Sequence, residues 1–198
     1  MMFSKISGPR FCALLLIMAL GACVSFGGKA PVSMLVLTAD NVVAAGVART
    51  ATTADALVIQ MPQVPRKLDN NRVPVQIDPS SIAYLKNAFW ADKPARLMQS
   101  LLVETVSAKS GNLVLNEADA GGKAVRFLSG SLLEFGIDAE TSEAVVVYDA
   151  VKIIRGSATE KRRFEARRPL TAIAPAPAGA ALNAAANDVA GQIADWVS

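Results

Sequence analysis

Residues 125–170 read VRFLSGSLLEFGIDAETSEAVVVYDAVKIIRGSATEKRRFEARRPL. Two runs rich in Val, Ile, Leu, Phe and Tyr, at 125–137 and 144–154, and a third, charged run at 159–170 that carries Phe164, are separated by the short polar links 138–143 and 155–158. β-Branched and aromatic residues suit extended backbone, and links this short join antiparallel neighbours, so the stretch predicts a three-strand meander. On the last run, alternation puts Lys161, Arg163 and Arg167 on one face and Arg162 and Arg168 on the other, with Phe164 and Ala166.

Upstream, 72–78 alternates with Val73, Val75 and Ile77 on one face; Pro74, lacking an amide hydrogen, predicts at best an edge strand. Pro79-Ser80-Ser81 turns the chain into a strand over 82–90. Asp92 and Pro94 then open a helix running to about Ser107, with Leu97, Met98, Leu101, Leu102 and Thr105 on its apolar stripe and Gly111 as its stop. A short strand follows at 112–115. Earlier still, 34–38 and 56–61 read as strands, the second ended by Pro62 and Pro65, while 40–53 shows no clear period. Beyond the meander, the Pro- and Ala-rich stretch 174–181 predicts a break. A helix over 180–197 presents Leu182, Ala186, Val189, Ile193 and Trp196 at spacings of four, three, four and three. That stripe must bury against the sheet, because Ile193 and Trp196 would otherwise face water. The expected class is α/β: a single compact domain with a mixed β-sheet covered by helices, the C-terminal antiparallel meander and a terminal helix. No internal repeat is present.

The first residues have a different grammar. Lys5 and Arg10 precede an apolar run over 11–20, and Leu20-Gly21-Ala22-Cys23 closes it. A basic start, about ten apolar residues and small residues before a cut describe an export signal, too short to span a bilayer. A cysteine at the cut points to a lipoprotein signal, in which 1–22 is removed and the Cys23 thiol carries diacylglycerol. Two or three acyl chains on one residue anchor firmly, since each buried methylene contributes roughly 0.8 kcal/mol. Residues 23–33 then form an acylated start and a tether, and 34–198 the folded domain. Ten flexible residues span about 17 Å, which holds the domain near its membrane. The plainer alternatives are an ordinary secretory signal with Cys23 at that place by chance, or a short buried helix at the N-terminus.

Composition removes several classes of function. The signal takes Lys5 and Arg10 out of 20 basic side chains and leaves the rest against 17 acidic ones, a nearly neutral domain with no broad footprint for nucleic acid. Of two cysteines, Cys12 leaves with the signal and Cys23 takes lipid, so the domain has no disulfide. Histidine is absent, which excludes Ser-His-Asp and Cys-His sites and, with cysteine gone, the usual zinc and copper ligands. No glycine stands five positions before Gly28-Lys29 or Gly122-Lys123, so neither is a phosphate loop. Asp69, Asp78, Asp92, Asp138, Glu140 and Glu143 lie among Asn, Pro, Ser and Thr, where carboxylates cap turns. The expectation is a non-enzyme without cofactor or metal.

Ile82-Ala83-Tyr84, the stretch Ala88-Phe89-Trp90-Ala91-Asp92-Lys93-Pro94, the helix 97–106 and Ser110-Gly111 together resemble the ABC-type transport auxiliary lipoproteins. Leu132-Leu133-Glu134-Phe135, Arg162-Arg163-Phe164, Pro169 and the closing Ile193-Ala194-Asp195-Trp196-Val197 extend the likeness in order along the mature chain. The first strand lacks the aromatic pair and the region before Tyr84 lacks the arginine typical of that family. The resemblance implies an outer-membrane component of MCE-type intermembrane lipid transport systems: a lipid-anchored, periplasm-facing helper. Its implied partners are an MCE-domain protein and the ABC permease and ATPase of the same system, with transient phospholipid contact. Val24, where an aspartate would mark retention at the inner membrane, implies the outer membrane.

Cys23 is the expected lipidation site. Trp90 and Tyr84 are candidate contacts for a partner or a headgroup, against the plainer expectation that both pack in the core. Arg163 and Arg167 are candidates for the same role, against that of a charged edge resisting unwanted strand pairing. Two other functions fit the same chain: an envelope lipoprotein bracing another outer-membrane machine, such as that for lipopolysaccharide insertion, and a periplasmic carrier that encloses a lipid.

Overall fold

The computed structural model describes residues 33–52, 55–121, 124–157 and 159–198. Along them run β1 (Leu57–Ile59), β2 (Arg72–Asp78), β3 (Ser81–Phe89), α1 (Pro94–Ser110), β4 (Val114–Asn116), β5 (Arg126–Asp138), β6 (Glu143–Ile154), β7 (Thr159–Pro169) and α2 (Pro175–Val197), with a short 3-10 turn at Arg66–Leu68. The mixed sheet and the meander are as expected. β5 pairs antiparallel with β6 from Arg126↔Ile154 to Asp138↔Glu143, and β6 with β7 from Ile153↔Thr159 to Glu143↔Pro169.

The other edge of β5 is divided. Its first residues pair in parallel with β1 at Leu57↔Arg126, and its last pair in parallel with β2 at Val75↔Ile137 and Gln76↔Asp138. Between them Gln63 bridges Ser131. β4 extends the sheet beyond β1 in parallel, and β3 extends it beyond β2 antiparallel. The long central strand thus carries two short branches.

β2 is therefore interior, which corrects its expected place at an edge. Pro74 is tolerated because the pairing of β2 with β5 starts only at Val75, so the ladder asks Pro74 for no donor on that side. The facing residue is Gly136, where a Cβ would lie 2.5 Å from the Pro74 carbonyl oxygen and 2.8 Å from its ring Cγ. The expected strand at 34–38 is reduced to one bridge. Leu35 lies parallel to Trp90, its N–H donating to the Phe89 carbonyl at 2.7 Å and its carbonyl accepting from Ala91 N–H at 2.9 Å.

The remainder of that first segment runs over the helices, held by side chains. Asn183 Oδ1 accepts from Thr38 N–H at 2.8 Å, while Asn187 accepts from Asp40 N–H at 2.9 Å and donates to the Thr38 carbonyl at 2.8 Å. On α1, Glu104 accepts from Val43 N–H at 2.7 Å, and the Arg49 guanidinium donates to the carbonyls of Ser107 and Asn112. Leu35 lies against Gly179 of α2, where a Cβ would come within 2.7 Å of its methyl group.

α1 begins at Pro94 as expected, runs to Ser110, past the expected end near Ser107, and is stopped by Gly111, φ 70°. α2 begins at Pro175, five residues before the expected start, so the proline-rich stretch is its first turn and not a break. Proline fits there because the first amides of a helix have no acceptor within it. Both helices send their apolar stripes into one core. Met98, Leu101, Leu102 and Val106 meet Leu182, Val189 and Ile193 over Leu128, Leu132, Phe135, Val146 and Tyr148 of the sheet. Fully burying an aliphatic or aromatic side chain of this size contributes about 1.5–3 kcal/mol. On the opposite face, a small cluster of Val58, Ala120, Ala124, Leu115 and Phe127 covers the β1–β4 end. Among the described residues no helix packs over the rest.

Candidate functional site, the uncovered face of the sheet

Alternation along β6 gives the two faces their chemistry. Ala144, Val146, Tyr148 and Ala150 enter the helical core. Val145, Val147, Asp149 and Val151 face the other way, opposite Arg167, Glu165, Arg163 and Lys161 of β7. Val145 and Val147 are buried without a helix above them, shielded by the stems of long charged neighbours.

Asp149 anchors the first charge cluster. Arg163 approaches it with Nε at 2.6 Å and a terminal nitrogen at 3.0 Å, and Lys161 Nζ lies 3.1 Å from the second oxygen. The hydrogen bond from Arg163 holds the Asp149 carboxyl down at about 2. Arg167 stands among three carboxylates: Glu165 at 2.7 Å, and Asp138 and Glu143 each at 3.4 Å. Asp138 is also held below the usual carboxylate range, chiefly by the backbone N–H of Thr141.

Arg167 borders a groove of about 410 Å3 whose walls include Lys67, Pro74, Glu134, Gly136 and Val145. Lys67 and Glu134 pair at 2.6 Å on its wall. Tyr84, half-buried on β3, lies opposite Pro74 in the ladder; its hydroxyl donates to the Lys67 carbonyl at 3.4 Å and accepts from Asn70 Nδ2 at 3.3 Å. The Arg72 guanidinium stacks 4.3 Å above its ring.

Tyr84, Arg163 and Arg167 thus share one face, while Trp90 does not. Its ring is fully enclosed, 4.9 Å from that of Phe135, and belongs to the core. Cys23 lies outside the described residues. Sequence reasoning missed Asp149, although a lone carboxylate inside VVVYDAV is a legible signal of a paired buried acid. It also missed Glu134 and Lys67, which meet only through tertiary structure. On the helical face, Arg168 pairs with Asp188 at 2.6 Å and Arg162 lies 5.1 Å over the Phe164 ring.

Among the described residues no group of three or more metal-ligating side chains converges, and no helix is long and apolar enough to cross a membrane. The face offers apolar strips edged by matched charges, which is recognition chemistry. A mixed α/β domain with this face open is the class defined by the fold. The profile of the ABC-type transport auxiliary lipoprotein component matches residues 37–194, and the chain belongs to that family.

Solved structures agree on the fold. Protein XCC0632 from Xanthomonas campestris, a DUF330 protein, superposes with a TM-score of 0.70 at 19% identity, covering 83% of this chain and 94% of its own. A second crystal structure, of an uncharacterized protein, gives 0.65 at 17% identity, with 73% and 93% covered. No curated protein matches the chain. The family is one of transport auxiliary lipoproteins, tied to the cell envelope and to an ABC transport system, and not a known enzyme family.

Proposed function

We propose that this protein is an outer-membrane lipoprotein, anchored through acylated Cys23, that assists an ABC and MCE intermembrane lipid transport system by docking its MCE-domain protein at the periplasmic face. The observation that carries the docking role is the charge pairing on β5–β7. Arg163 is matched by Asp149, and Arg167 by Glu165, Asp138 and Glu143. Such neutralised guanidiniums would gain little from a uniformly anionic headgroup layer, whereas a mixed-sign surface selects a protein partner of complementary pattern. The groove beside Arg167 suits that role better than enclosure of acyl chains, because Lys67, Glu134 and Asp138 are among its walls.

Capture from detergent extracts on the intact lipoprotein is expected to recover an MCE-domain protein. Arg163→Gln combined with Arg167→Gln is expected to cut that recovery about tenfold, the loss of roughly 1.4 kcal/mol of complementary pairing. Glutamine is preferred to glutamate, which would set a like charge beside Asp149 and unsettle the fold. Recovery unchanged in the folded double variant would remove this face from the interface.

A further inference from the structure

The β3 border of the open face has a chemistry unlike that of β5–β7. The ladder sets Pro74 against Tyr84 and Gln76 against Ile82, so Ile82, Tyr84 and, two residues on, Lys86 share this face. An irregularity at Asn87, φ 58°, then turns Ala88 and Trp90 inward and leaves Phe89 outside, opposite Arg72. The parallel bridge of Leu35 to Trp90 sets Met34 beside Phe89 on the same side. Met34, Ile82 and Phe89 are 61%, 43% and 40% exposed.

Among the described residues neither Arg72 nor Lys86 enters an ion pair. Asp78 is the lone carboxylate between Arg72 and Phe89, and it sits in the turn bonded to Ser80 at 2.8 Å. One border of the sheet thus presents exposed apolar side chains, a phenol and two cations that, among the described residues, pair with no carboxylate.

We propose that this strip seats on an anionic phospholipid surface, with Met34, Phe89 and Ile82 entering the boundary between headgroups and acyl chains and Arg72 and Lys86 meeting phosphates. Apolar and aromatic side chains rimmed by Lys and Arg form the pattern of interfacial contact. The chain itself says what covers the strip. Only ten residues, 24–33, separate Cys23 from Met34, which is itself in the strip. Ten residues reach at most about 35 Å even when fully extended. Lipid on Cys23, as proposed above, would therefore bring Met34 to the bilayer before any other part of the domain.

The test uses the chain over 24–198 without acyl groups, since residues 33–198 form one compact unit that holds the hydrophobic core of the described residues. Co-sedimentation with phosphatidylglycerol-rich vesicles is expected, weaker on phosphatidylcholine alone and weakened by salt. Met34→Ser with Phe89→Ser is expected to lower binding about tenfold or more, and Arg72→Gln with Lys86→Gln to remove the preference for phosphatidylglycerol. Arg163→Gln with Arg167→Gln should leave binding unchanged. All these side chains are exposed, and a thermal melt of each variant checks that it is folded. No binding to phosphatidylglycerol vesicles, or binding that the strip variants do not reduce, would overturn the proposal. So would a self-association that the Met34 and Phe89 changes abolish, which would assign the strip to a second copy. An unmodified Cys23 in the native protein would sink the anchoring proposal while leaving the vesicle result standing.

Discussion

Asp149 shows what one residue does for the open face. Its carboxyl is lowered to about 2 from an ordinary 3.8, first by the Arg163 hydrogen bond. A depressed acid contributes stability that is present above 3.8 and lost as pH falls through about 2. Asp149→Asn is therefore expected to be less stable than the natural chain at neutral pH, with the gap in melting temperature closing as pH drops toward about 2. A constant gap across that window would deny the pairing. Tyr148 is the opposite case, a fully buried phenol whose hydroxyl has no hydrogen-bond partner among the described residues and whose ionisation is pushed upward by burial. Tyr148→Phe is expected to raise stability by about 1 kcal/mol, since an unsatisfied buried hydroxyl costs about 1–3 kcal/mol. A fall of that size in denaturant titration would reveal a buried water as its partner. Alternation alone placed Arg163 and Arg167 on one face, yet not their partners. Asp149 meets Arg163 through the cross-strand register, and Glu134 meets Lys67 across 67 positions of chain.

Among the elements, the meander was legible because its strands are long and its links short, and the two helices because their stripes keep a steady period. What sequence could not show was fastened by side chains. The segment over α2 is held to Asn183 and Asn187 across 145 or more positions, and no local period announces that contact. Asn187→Ala is expected to cost about 1–3 kcal/mol and to speed hydrogen exchange at Asp40, whose N–H Asn187 accepts, while β5 and β6 stay protected. Equal exchange in both proteins would mean that Leu35, Asn183, Glu104 and Arg49 hold the segment without Asn187. α2 is structural in the stronger sense, with Leu182, Val189 and Ile193 fully buried. A chain ending at Ala174 is expected to lose cooperative melting, because removal of α2 uncovers Tyr148, Phe164 and the stripe of α1. A truncated chain that still melts sharply would reassign α2 to partner binding. Pro74 misled through a sound rule applied without neighbours: proline avoids interior strands unless the ladder leaves its nitrogen unasked, and here Gly136 and the late start at Val75 do so.

At the scale of the whole molecule, both helices cover one face and leave the other to charged pairs, a groove and the β3 strip. That asymmetry suits a domain held beside a bilayer that also receives a protein. Fold class and family were readable from strand grammar and short motifs; the division of the open face was not, since it follows from which carboxylates the register delivers to which cation. The lipid proposed on Cys23 would tie this surface to a membrane, and the intact mass of the protein extracted from envelopes tests that proposal most directly. Expected is a chain beginning at Cys23, heavier than its sequence by a diacylglycerol group, with or without an amide-linked acyl chain. A free thiol at Cys23, or a chain cut elsewhere, would contradict it.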